Sequence, residues 1–183
     1  MKLTRSRTVA LCLSSVLASS AAPSGEAFAA QNSRLDSAQG VLQLIDERGA
    51  KEALDSLYSD EATWDRTLDA ITEGTEAWLR VAIKLRKVSD AGASFDLSLA
   101  VSDSLARNPT TVLGALKVFD PQDVCGTYGF PNKGDLRSTI RVVENRVRAV
   151  QGVSAKPGSD LDVMKRDCLR HLGALRQRLA KDP

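Results

Sequence analysis

The sequence predicts an all-α protein: a compact multi-helix bundle or a short irregular HEAT-like helical stack, ending in an antiparallel helical hairpin and carrying one disulfide. Three observations predict it. No segment alternates apolar and polar residues over the length of a strand, and the valines recur at helical spacing. Capping residues precede one apolar-periodic run after another, twice with proline at the first helical position, in Asn108-Pro109 and Asp120-Pro121. Hydrophobic residues at 43% and charged residues at 26% lie in the ordinary globular range, which argues against disordered, collagen-like and channel classes. Nothing recurs at the fixed period that helical arrays usually show, so stack and bundle are equally compatible with the chain.

Residues 1–29 read as a secretory signal. Lys2, Arg5 and Arg7 precede an apolar stretch from Val9 to Ala22, Pro23 and Gly25 break it, and Ala27-Phe28-Ala29 supplies the small residues of a peptidase site. A membrane anchor would need about 20 apolar residues, and Ser14, Ser15, Ser19 and Ser20 interrupt this stretch. Cys12 lies too early for lipidation. Cleavage after Ala29 leaves residues 30–183, the size of one domain. The mature chain is expected in an oxidising compartment, most simply a bacterial periplasm or outside the cell, without stable membrane insertion.

Within that domain, Leu35–Arg48 and Ala50–Tyr58 are expected as helices split at Gly49, with Leu42, Ile45, Leu54 and Leu57 inward. Ser59 is read as the start of a helix that buries Trp64, Leu68 and Ile71 and ends near Gly74. Thr75 caps the next, with Trp78, Val81, Leu85 and Val88 inward. A turn at Asp90-Ala91-Gly92 then leads to a helix capped by Ser94 and carrying Phe95, Leu97, Val101 and Leu105. Short helices follow Asn108-Pro109 and Asp120-Pro121, and a loop ends near Gly134. From about Asp135 to Gln151, Leu136, Ile140, Val143, Val147 and Val150 make one apolar seam. Ser159 caps the last helix, whose seam is Leu161, Met164, Cys168, Leu172, Leu175 and Leu179, with Asp160 and Asp162 favoured in its first turn by the helix dipole. This makes about eight helices, with Tyr58, Trp64, Trp78, Phe95 and Phe119 expected as core.

Cys125 and Cys168 are the two cysteines of the mature chain, and paired cysteines in an exported protein usually join. The competing use of Cys168 with His171 as a thiol–imidazole dyad or partial metal site requires a thiolate that oxidation removes. His171 is the single histidine and follows Asp167 by four residues, the spacing of an ordinary helix-surface contact. No phosphate loop, nucleophile elbow or pair of metal-binding histidines is present. No cofactor or metal is expected, and catalysis has no positive support.

Charge is distributed unevenly. Residues 30–130 hold 10 Lys and Arg against 16 Asp and Glu, and residues 131–183 hold 12 against 6. The division gives an acidic part over about 35–119 and a basic hairpin over about 135–180, with 36–76 alone at −8. Such an end steers a basic partner. Glu61, Asp65 and Asp69 recur every four residues on one helix stripe, and Tyr128 and Phe130 sit in a glycine-rich loop behind Cys125. These five are the candidate partner-binding residues. Arg137, Arg141, Arg148 and Arg170, with Arg146, Lys165, Arg166, Arg176 and Arg178, could meet an anionic lipid or glycan, whereas nucleic acid is not expected because the basic helices lack aromatic platforms. The leading expectation is an exported non-catalytic protein that binds another protein, as an inhibitor, an immunity-type protein or an envelope adaptor. The alternatives are an envelope-acting hydrolase using His171 with Asp167 or Asp160, and an anion binder using the hairpin.

Overall fold

A computed structural model describes residues 35–127 and 136–181. The expected signal segment and the loop residues Tyr128 and Phe130 lie outside the described residues. Among the described residues the chain forms nine helices and no strand: α1 (Ala38–Arg48), α2 (Ala50–Tyr58), α3 (Glu61–Thr72), α4 (Glu76–Arg86), α5 (Ala91–Ser104), α6 (Pro109–Ala115), α7 (Pro121–Cys125), α8 (Leu136–Gln151) and α9 (Asp160–Lys181).

Local chemistry sets these boundaries. Gly49 separates α1 from α2 with φ +89°, a conformation that glycine adopts without steric cost. Thr75 accepts a hydrogen bond from the Trp78 amide, Asn108 from Thr111 and Asp120 from Gln122, so three expected caps act as caps. Ser159 Oγ accepts from the Asp162 amide at the head of α9. Two starts differ from expectation. Asp60, not Ser59, is the N-cap of α3, because Ser59 still closes α2 through its amide to the Asp55 carbonyl. Asp90, not Ser94, caps α5 and accepts from the Ala93 amide at 3.1 Å, so Gly92 is helical rather than part of a turn.

Helices far apart in order touch one another. Besides the sequential pairs, α1 packs on α4, α3 on α5, and α9 on α6 and α7. These returns close the core as a bundle. Buried Leu57, Ile71, Leu85, Leu97, Leu113 and Leu172 belong to one continuous hydrophobic cluster. The inward face of α3 differs from its expected stripe: Thr63 and Thr67 are buried with Trp64 and Ile71, whereas Leu68 is half-buried. Thr67 Oγ1 satisfies itself by donating to the Thr63 carbonyl one turn back at 2.8 Å. Tyr58 and Phe95 are not core: they are 45% and 49% exposed, while Trp64, Trp78 and Phe119 are buried.

The α8–α9 hairpin is tied to the rest of the bundle around Cys125. Cys125 ends α7 and is bonded to Cys168 of α9, with Cα atoms 5.3 Å apart. The next two carbonyls are also held. Gly126 O accepts from Arg178 Nη2 at 2.8 Å, and Thr127 O accepts from Arg146 Nη1 at 2.9 Å and Ser102 Oγ at 3.3 Å. Arg146 is therefore not part of the outer basic face. It is 1% exposed, and its Nη2 also donates to Asp103 of α5 at 2.6 Å. Burial pushes its guanidinium below the usual arginine range, and the charge and hydrogen bond of Asp103 oppose that shift.

Among the described residues no helix is long and apolar enough to cross a membrane. The Cys125–Cys168 disulfide fits an exported chain.

Candidate partner-binding face

Glu61, Asp65 and Asp69 lie on the side of α3 turned away from its buried face, because a four-residue step advances only slightly beyond one helical turn. All three side chains are exposed, and none has an ion-pair or hydrogen-bond partner among the described residues. Three other carboxylates of the acidic part are held in ion pairs. Asp36 pairs with Arg66 at 3.2 Å, Asp46 with Lys84 at 2.9 Å and Asp55 with Lys51. The negative charge of this end is thus left uncompensated along α3. Asp69 also borders a cleft of about 310 Å³ floored by Leu35, Ala70 and Trp78 and rimmed by Asp36, Arg66 and Glu73.

Two aromatics stand at the head of the same region. Tyr58, the last residue of α2, meets Trp64 edge-on, with ring centroids 5.2 Å apart and planes at 74°. Trp64 Nε1–H donates to Asp96 of α5 at 3.1 Å, which fixes the indole between α3 and α5. The Tyr58 hydroxyl lies over Gly92, where a Cβ would come within 3.1 Å of it. Phe95 follows Gly92 by one turn of α5. Sequence reasoning misplaced both exposed aromatics, although a signal existed for Phe95. It precedes Leu97 by two residues, so the two cannot share the seam that Leu97, Val101 and Leu105 make at four-residue steps.

The candidate cations are distributed over α8 and α9. Arg137 and Arg141 are exposed on α8, Arg148 donates to Asn145 beside it, and Arg170 pairs with Asp167 on α9. Arg148 and Arg176 line a cleft of about 410 Å³ with Glu144, Val147 and Gln151. Much of the remaining basic charge serves the fold. Lys165 donates to the Gln151 and Val153 carbonyls, Arg166 pairs with Asp162, and Arg146 and Arg178 hold the chain after Cys125.

His171 Nε2 lies 3.9 Å from Asp167 Oδ1, beyond hydrogen-bond distance, and Asp167 is shared with Arg170. Asp160 pairs with Lys117 at 2.6 Å. The Cys168 sulfur is in the disulfide and unavailable for a dyad with His171. Among the described residues no three His, Cys, Asp or Glu side chains are grouped as metal ligands. Comparison with protein-family models, curated proteins and solved structures finds no match for this chain.

Proposed function

We propose that the chain is an exported, non-catalytic helical protein that binds another protein through the acidic face of α3, as an inhibitor, an immunity-type protein or an envelope adaptor. The observation that carries this reading is the unpaired state of Glu61, Asp65 and Asp69 beside carboxylates that are paired. Like charges one turn apart destabilise a helix by about 0.2–0.5 kcal/mol per pair. A basic partner converts that repulsion into attraction and is also steered toward it. Export rests on the signal-like residues 1–29 and agrees with the disulfide.

The test is capture of a partner from envelope and culture extracts by the oxidised chain, compared with a variant carrying Asp65→Lys and Asp69→Lys. Charge reversal should abolish capture and its salt dependence. Unchanged capture by the variant removes the acidic face as the site.

A further inference from the structure

We infer that Tyr58 and Phe95 anchor a docking surface for an arginine-bearing basic segment of the partner protein. The inference rests on the acidic-face reading and names the chemistry that face recognises.

Aromatic residues make up only 4% of the chain, yet among the described residues two are about half exposed: Tyr58, whose hydroxyl lies against Gly92 of α5, and Phe95, one turn after Gly92 on the same helix. Tyr58 cannot swing freely. Its ring is braced edge-on by Trp64, whose own N–H is tied to Asp96, and its hydroxyl lies against Gly92. A ring held in place contributes contact area without the entropy cost of ordering it on binding. Phe95 presents a second ring one turn along α5 from Gly92. Glu61 opens α3 beside Trp64, and Asp65 follows one turn later, both exposed and unpaired among the described residues.

This combination selects for a particular cation. The face of an aromatic ring carries the negative part of its quadrupole and attracts a cation within about 6 Å. Carboxylates nearby attract the same charge. A guanidinium satisfies both at once, because its plane stacks on a ring while its edge N–H groups reach a carboxylate. An ammonium is a strongly hydrated point charge and gains less from the ring. The molecule already uses this contact internally, where the Arg86 guanidinium lies over the Phe119 ring at 5.8 Å from its centroid. An arginine-bearing segment therefore fits this surface better than a lysine-bearing one of equal charge.

The experiment titrates the oxidised chain calorimetrically with hexa-arginine and hexa-lysine amides at low ionic strength, where surface charges are weakly screened. Hexa-arginine should bind roughly threefold to tenfold more tightly than hexa-lysine. Phe95→Leu and Tyr58→Leu should each pull that ratio toward one. Tyr58 braces Trp64, so its variant is read only if folded, and exposed Phe95 supplies the independent variant. Glu61→Gln with Asp65→Asn should weaken both peptides. An arginine-to-lysine ratio of about one, or a ratio that Phe95→Leu leaves unchanged, overturns the inference. If neutralising the carboxylates still weakens both peptides in that case, the acidic-face reading survives. If neutralisation changes neither affinity, or neither peptide binds, both fall.

Discussion

Arg146 and Asp103 form an ion pair at 2.6 Å between α8 and α5 in which the guanidinium is 1% exposed and the carboxylate side chain 46% exposed. Among the described residues the buried guanidinium also donates to the Thr127 carbonyl at 2.9 Å. Removing one member of a fully buried pair costs about 3–5 kcal/mol. Because water can reach the Asp103 position, Asp103→Ala should cost less, roughly 2–3 kcal/mol by denaturant unfolding. In an Arg146→Met background the same change should cost far less, since no buried charge is then orphaned. Equal costs in the two backgrounds would show that the pair is not coupled.

The disulfide spans 43 residues and joins α7 to α9. Closing a loop of that length stabilises the fold by about 4 kcal/mol in the chain-entropy model. Reduction, or Cys125→Ser with Cys168→Ser, should lower Tm by roughly 10 °C. Thiol labelling of the unreduced protein should find neither cysteine reactive.

The turn entering α9 should be acid-sensitive. The Gly158 amide, and after it Arg166, hold the Asp162 carboxyl below its usual 3.8, and Lys117 does the same for Asp160. A depressed carboxylate contributes stability that is present above its unfolded pKa and lost as pH falls through its folded one. The contribution is therefore complete above about pH 5 and is lost progressively as pH falls below it. Asp162→Asn with Asp160→Asn should flatten the dependence of stability on pH in that window, followed by thermal unfolding at stepped pH.

Gly74 and Gly158 both have positive φ, +73° and +77°, but different surroundings. A Cβ at Gly74 would meet Ser104 Cβ at 3.2 Å and its carbonyl at 3.3 Å, whereas nothing lies within 4 Å of one at Gly158. Both alanine variants bear the left-handed penalty of about 1–2 kcal/mol. Only Gly74→Ala adds a backbone clash between the α3–α4 turn and α5, so it should lose clearly more Tm.

Much of the fold was legible because its signals are local. The α8–α9 seams, the Thr75, Asn108 and Asp120 caps and the Gly49 break are each written within a few residues, and the cysteine pair, though 43 residues apart, is legible because residues 30–183 hold no other cysteine. The role of Arg146 is not local: its partners are Thr127, 19 residues away, and Asp103, 43 away. Its position offered a hint, three residues after Val143 and four before Val150, on the seam itself. For the candidate site, the α3 stripe could be read from spacing. That its carboxylates lack cationic neighbours depends on where Arg66, Lys84 and Lys51 point, and the exposure of Tyr58 depends on Trp64 filling the space beneath it.

We propose that this chain acts by holding another protein. Affinity capture by the oxidised chain of residues 30–183, from envelope and culture extracts at low and at moderate salt, tests it most directly. One stoichiometric protein partner is expected at low salt, bound more weakly at moderate salt as screening of the α3 carboxylates requires. Absence of a partner at both salts would contradict it.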